Sequence, residues 1–148
     1  MKLNFYWEEN QSTDSLDIIS HPTNQKQVSK IKELFNQTIL LTEPNNNRKK
    51  VIPIDEIESI ISLGHLSKVT LINQKSYFYD KRLKELRYLE KLHFNQINQS
   101  TIINLNQIKS FQAEKQARLE LITKTNQHYI VSRHYTKQLK ERLLCLTH

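Results

Sequence analysis

Leu3, Phe5 and Trp7 alternate with polar residues, the period of a half-buried strand. Glu8–Asp14 is polar and turn-like, and Leu16–Ser20 reads as a second strand. Pro22, Thr23 and Asn24 offer a helix entry, after which Val28, Ile31, Leu34 and Phe35 recur at helical spacing. Thr38–Thr42 (TILLT) is a third short strand. The pattern so far predicts a small ββαβ unit over residues 1–44, too short to bury a core by itself. It must pack on the rest of the chain or on a second copy.

Glu43–Lys50 is linker-like and spans the boundary, and the remainder, residues 45–148, continues as a run of short apolar segments. Strands are predicted over Lys50–Ile54, Ile57–Leu63, Ser67–Ile72 and Lys75–Tyr79, the last two joined at Asn73-Gln74. Leu83, Leu86, Leu89 and Leu92 form one stripe and predict a helix over Lys81–Leu92. A short apolar piece, Thr101–Leu105, reads as a helix-like turn. Further strands follow at Ile108–Ala113, Arg118–Thr123 and His128–Ser132, then a helix over Tyr135–Leu146. The fold class is mainly β with a few short helices. Gly64 is the only glycine, so tight turns must recruit asparagine, the next residue to tolerate positive φ, and Asn45–Asn47, Asn73 and Asn126 stand where turns are needed.

Charge changes the picture. Residues 1–44 carry four Lys against six acids, whereas residues 45–148 carry 18 basic residues against nine acids. A basic body with a slightly acidic leading segment suits a polyanionic partner for the body, and equally a solvated basic surface with none. With one glycine, neither a phosphate-binding loop nor a dinucleotide fingerprint is available. The six His show no metal-ligand spacing, and Cys145 falls in an apolar helical stripe where packing outweighs nucleophilic chemistry. Asp55, Glu56 and Glu58 read as solvated turn and strand-edge residues rather than as a catalytic pair. The chain is expected to be no enzyme and to need no cofactor or metal. Without an apolar run near 18 residues or a signal peptide it reads as soluble and cytoplasmic.

Two polar clusters remain. Gln96, Asn98, Gln99 and Ser100 precede the apolar turn; they fit either a loop that caps it or a set of amides able to pair with adenine edges. Ser132, Arg133, His134 and Lys137 lead into the last helix, with Lys140 and Arg142 continuing its basic face. That arrangement fits a capped helix with a solvated face or a phosphate contact at a helix N-terminus.

The order of these features resembles one family. Val51–Ile57, the strand pair, Leu83–Leu86, the segment Phe94–Ile108 and Val131–Lys140 follow the pattern of the LytTR DNA-binding domain of bacterial transcription regulators. The family's S-x-I-V-N-L core is answered by Ser100, Ile102, Ile103, Asn104 and Leu105. The resemblance covers Arg48 to the C-terminus. It implies an elongated antiparallel β domain that contacts successive major grooves of double-stranded DNA through loops and bends the duplex. It assigns DNA contacts to three loops: the neighbourhood of His65, Ser67 and Lys68; Gln96, Asn98 and Gln99 with Ser100; and Arg133 with His134. Lys137 and Lys140 join them as phosphate contacts. The family's basic residues before the serine are amides here, which favours a different target sequence.

Forty-four leading residues cannot hold a receiver domain. The layout therefore resembles the short stand-alone regulators of Gram-positive bacteria, with the leading unit serving dimerisation or signal input. That resemblance implies a homodimer and, as a further partner, a small membrane protein that restrains the regulator. The alternative is a protein-interaction module that docks an acidic or membrane-associated partner without specific DNA binding. RNA binding ranks third, because Tyr77, Phe78 and Tyr79 alternate as strand residues rather than forming a stacking platform.

Overall fold

The computed structural model describes residues 2–13, 15–35 and 37–146. Two units follow one another, with the break between Gln37 and Thr38. In the first, residues 2–8 and 15–21 form no strand; a turn between them is closed by the Gln11 N–H on the Glu8 carbonyl at 3.3 Å. The expected strands Leu3–Trp7 and Leu16–Ser20 are thus absent. A strand needs a neighbour for its N–H and C=O groups, and among the described residues neither segment has one. Helix α1 (Gln25–Phe35) does form, entered through a 3-10 turn at Pro22–Asn24. Val28 and Ile31 on its apolar face are half-buried; the side chains of Leu34 and Phe35 lie outside the described residues.

The second unit begins with β1 (Thr38–Thr42), which pairs in antiparallel register with β2 (Lys49–Pro53), Leu40 opposite Val51. Ile39 and Leu41 are buried in this unit's core, so TILLT belongs to the body and not to a ββαβ unit. There follow β3 (Ile57–Leu63), β4 (Leu66–Leu71), β5 (Ser76–Tyr79), β6 (Phe94–Asn98) and β7 (Thr101–Asn104). These seven strands make one antiparallel sheet in the order β2-β1-β5-β4-β3-β7-β6. A second sheet, β10-β9-β8, is built from β8 (Ile108–Ala113), β9 (Leu119–Thr123) and β10 (His128–Val131), and the chain ends in α2 (Arg133–Leu146).

The strand β7 replaces the helix-like turn expected at Thr101–Leu105. Its neighbours Ile102 and Ile103 point into two different cores, one on each face of the large sheet. A strand buried on both faces shows no alternation, and its apolar run cannot be told from a helical one. The first core gathers Ile57, Ile60, Val69, Leu86, Leu89 and Phe94; the second gathers Ile97, Leu119, Leu121, Val131, Leu139 and Leu143.

The segment Leu83–Leu92 is a 3-10 helix, not an α-helix. Its leucines recur at every third position, which is the 3-10 period, so Leu83, Leu86 and Leu89 stack along one line into the first core. Glu85 closes the entry by accepting from the Arg82 backbone N–H at 3.0 Å, and His93 ends the segment at φ 68°. Positive φ also occurs at Gly64, Asn47 and Asn126, as the turns require. In the β4–β5 turn it falls on Gln74, while Asn73 accepts from the Lys75 N–H at 2.9 Å.

Glu58, expected at a solvated edge, is fully buried. A register shift in β3 between Ile57 and Ser59 turns it inward, where it accepts a hydrogen bond from the Thr125 hydroxyl. The Tyr129 hydroxyl lies 3.0 Å from both Glu58 Oε2 and Ser59 Oγ. These contacts join the two sheets. Burial, opposed in part by the Ser59 hydrogen bond and aided by the Glu58 charge, pushes the Tyr129 phenol up to about 12. A raised phenol contributes stability that is complete below the unfolded value of about 10 and is lost as pH rises towards 12. In an alkaline titration followed by phenolate absorbance, Tyr129→Phe should therefore lessen the loss of stability across that window. An unchanged pH dependence in the variant would remove Tyr129 from this role.

Arg142 does not continue the basic face of α2. Its guanidinium turns inward, donating to the Phe94 carbonyl at 2.8 Å, to Asn95 Oδ1 at 2.6 Å and to the Glu90 carbonyl at 2.8 Å. Asn95 is buried, so removing its donor leaves an orphaned acceptor. Arg142→Ala should cost about 2 kcal/mol in urea denaturation, against about 0.5 kcal/mol or less for exposed Lys140→Ala. Equal effects would mean the clamp is not formed. Cys145, read as a packing residue, is exposed.

Candidate nucleic-acid interface

Antiparallel pairing brings three turns to one end of the body. The β3–β4 turn (Gly64-His65) and the β6–β7 turn (Gln99-Ser100) share an end because β7 runs antiparallel to β3, Thr101 opposite Ile61. A hydrogen bond from the Ser62 N–H to the Ser100 carbonyl, 2.8 Å, ties them. The third piece, the junction of β10 and α2, is held to the same hairpin by the Ser132 N–H on the Ile97 carbonyl at 2.9 Å. Residues that are distant in sequence, His65, Gln99 and Arg133, thus occupy neighbouring turns.

Within that group the side chains divide. Gln99 and Ser100 are exposed at the tip. Asn98 is turned back: Oδ1 accepts from the Ser100 N–H at 2.9 Å and from its hydroxyl at 3.0 Å, and Nδ2 lies 3.5 Å from the Ile130 carbonyl. Gln96, half-buried, donates from Nε2 to the Asn98 carbonyl at 2.9 Å and braces the bulge in β6. The four polar residues therefore make a folded tip with Gln99 and Ser100 at its exposed end. Asn98 and Gln96 depart from the expected role of amide readers, since pairing bidentately with an adenine requires the whole amide to be free.

In the first loop, Ser67 is also corrected. It is fully buried and its hydroxyl donates to the Lys81 carbonyl at 2.6 Å, so it fixes the strand end and meets nothing outside. His65 is exposed, and Lys68 is partly so, on the face of β4 opposite the buried Ser67 and Val69. Sequence reasoning missed Arg82, whose Nη2 lies 2.6 Å from His65 Nδ1 at the surface. The signal was the pair Lys81-Arg82 before the leucine stripe, absorbed there into an expected helix.

Arg133, His134, Lys137 and Lys140 are all exposed on α2. Arg133, Lys137 and Lys140 are spaced at i, i+4 and i+7, one stripe that runs about 10 Å along the helix. The opposite contacts are made by Thr136, Leu139 and Leu143, which are buried. The His134 ring meets Tyr135 edge-on, with centroids 4.9 Å apart. Basic side chains thus stand on either side of the β6–β7 hairpin: Lys68 and Arg82 by the β3–β4 turn, and the α2 stripe, which begins at Arg133 beside the β10–α2 junction and runs back along β6. Asp80 nearby is taken up by Lys49 at 3.3 Å. No group of three or more His, Cys, Asp or Glu able to hold a metal occurs among the described residues.

Residues 47–144 match the family model for the LytTr DNA-binding domain. A solved LytTr DNA-binding domain from Bacillus cereus shares the fold with a TM-score of 0.64 at 18% identity, covering 73% of this chain and 97% of that one. A search of curated proteins finds no match. Among the described residues no helix is long and apolar enough to cross a membrane.

Proposed function

The chain belongs to the LytTR DNA-binding domain family, and from that premise we propose that it is a transcription regulator that reads specific double-stranded DNA through its turns. The observation that carries this reading is the convergence of three turns, presenting His65, Gln99 and Arg133, with two basic stretches beside them. Gln99 carries a free terminal amide, suited to an adenine edge, and Arg133 a guanidinium suited to guanine O6 and N7. Ser100 and His134 flank them. Lys68, Arg82, Lys137 and Lys140 neutralise phosphates and set the register without carrying sequence information.

Contact with successive major grooves and curvature of the duplex between them are what the family resemblance implies, and in this reading bending accompanies specific binding. Lys137→Ala should weaken binding to all duplexes alike and lower the slope of log affinity against log salt by about one. Fluorescence anisotropy at several salt concentrations measures that slope. End-to-end energy transfer on a labelled cognate duplex should rise on binding. A change confined to one sequence, or an unchanged slope, would remove Lys137 from the phosphate contacts.

A second role is favoured by one observation. Leu3, Phe5 and Trp7 are 70%, 73% and 90% exposed, which is unusual for large apolar side chains grouped together. This fits protein association through the leading segment, alongside DNA binding by the body.

A further inference from the structure

His65 and Arg82 stand 17 positions apart and meet at the surface, Arg82 Nη2 lying 2.6 Å from His65 Nδ1. The fold fixes both ends of that contact. His65 follows Gly64, which takes φ 73°, in the tight turn that closes β3 on β4. Strands β4 and β5 are antiparallel with Ser67 opposite Tyr79, so the chain leaving β5 arrives beside that turn. Arg82 is then held through its backbone. The Ser67 hydroxyl grips the preceding Lys81 carbonyl at 2.6 Å, and the Arg82 N–H donates to Glu85 Oε2 at 3.0 Å. The Arg82 carbonyl accepts from the Glu85 N–H at 3.0 Å.

Chemistry decides the state of the ring. A guanidinium has only donors, so a contact this short needs His65 Nδ1 as the acceptor. The ring is therefore neutral, and its one proton sits on Nε2. That N–H has no partner among the described residues, and the ring is exposed. The guanidinium forms no ion pair with a carboxylate among the described residues, so no acid draws it away from the ring.

We infer that Arg82 is a positioning residue that makes His65 a donor-only reader, selective for an acceptor on a base edge. This rests on the reading of DNA proposed above and names the kind of edge that reading leaves open. In the major groove guanine offers two acceptors, N7 and O6, whereas cytosine offers its N4 amino donor, which an N–H cannot meet. Guanine is thus favoured and cytosine rejected at the base that His65 faces. The remaining guanidinium donors stay free for a phosphate.

The test has one arm without DNA and one with it. Long-range 1H–15N correlation of the full chain, at a pH where the imidazoles are neutral, reports which nitrogen carries the proton. His65→Ala identifies the His65 signals among the six histidines by their absence. The unaltered chain should show His65 with its proton on Nε2. Arg82→Ala should give a mixture of the two tautomers, and Arg82→Lys, which keeps a donor-only head, should restore the single form. Arg82 is exposed, so far-UV circular dichroism should be the same for all three.

In the second arm, anisotropy titrations use duplexes permuted one base pair at a time. His65→Ala picks out the pair that His65 reads. There the unaltered chain should prefer guanine to cytosine about tenfold, and Arg82→Ala should reduce that preference to about twofold. A His65 ring already mixed in the unaltered chain, or unmoved by Arg82→Ala, would overturn the inference. So would an Arg82→Ala chain that binds every duplex more weakly with the guanine preference intact, which makes Arg82 a phosphate contact alone. In both cases the unaltered chain still selects a sequence. If it selects none, the reading of DNA fails and the base contact with it, whatever the tautomer.

Discussion

Arg133→Ala is expected to lower affinity for the cognate duplex by about 1–3 kcal/mol while leaving binding to unrelated duplexes nearly unchanged. The guanidinium stands at the first turn of α2, exposed, in a junction fixed to the β6–β7 hairpin by the Ser132–Ile97 hydrogen bond. Its position is therefore set by the backbone, and its head is free to pair with a base. Gln99→Ala should behave alike at a different base pair, because Gln99 sits on the adjacent turn. The two effects should be separable by permuting one base pair at a time. Anisotropy titrations against the cognate and permuted duplexes provide the check. A loss shared equally by all sequences would make Arg133 a phosphate contact and refute its role in readout.

Glu58→Ala is expected to destabilise the body by about 3 kcal/mol or more. The carboxyl group is fully buried, and no Lys, Arg or His forms an ion pair with it among the described residues. Its partners are the Thr125 and Tyr129 hydroxyls, both from the smaller sheet. Alanine leaves a cavity and strips an acceptor from each, so loss of packing adds to loss of hydrogen bonding. Glu58→Gln keeps the shape and one carbonyl acceptor, and the hydroxyls can reverse to accept from its amide. That variant should cost about 1 kcal/mol. Because the network joins the sheet bearing the Gln99 tip to the sheet that leads into α2, Glu58→Ala should also weaken DNA binding without touching DNA. Urea denaturation of the two variants tests this; an alanine cost within about 0.5 kcal/mol would show that the sheets are held by apolar contacts alone.

Much of the body was legible where physics leaves a regular trace. The strands Ile57–Leu63 and Ile108–Ala113 form over the expected residues. Asn47 and Asn126 take positive φ in turns that lack glycine. What escaped has specific causes. The strands β6 and β7 are buried on both faces, so no alternation marks them. The leucine stripe carries its own period of three, yet a run of ten residues is long for a 3-10 helix, so the spacing alone predicts an α-helix. The ββαβ unit does not form because alternation reports a tendency to pair, and among the described residues nothing supplies the neighbour.

The candidate site was half legible. Gln99, Arg133, Lys137 and Lys140 are exposed, as a solvated or ligand-facing position requires. Ser67, Gln96 and Asn98 have their polar atoms engaged within the fold, which depends on contacts that are local in space but invisible in spacing. Arg142 and Glu58 show the same limit for charge: a register shift and three backbone-proximal acceptors turn them inward. Arg82 enters the site through His65, 17 positions away, a contact that only the β4–β5 connection brings about.

The most direct measurement is a titration of the full chain against a pool of random duplex DNA at two salt concentrations, with the retained fraction sequenced. Sequence-specific binding through several turns predicts enrichment of a motif in separated parts, with affinity falling steeply as salt rises. Salt-sensitive retention with no enriched sequence would reduce the interface to a basic surface. Absence of binding at low salt would contradict the account outright.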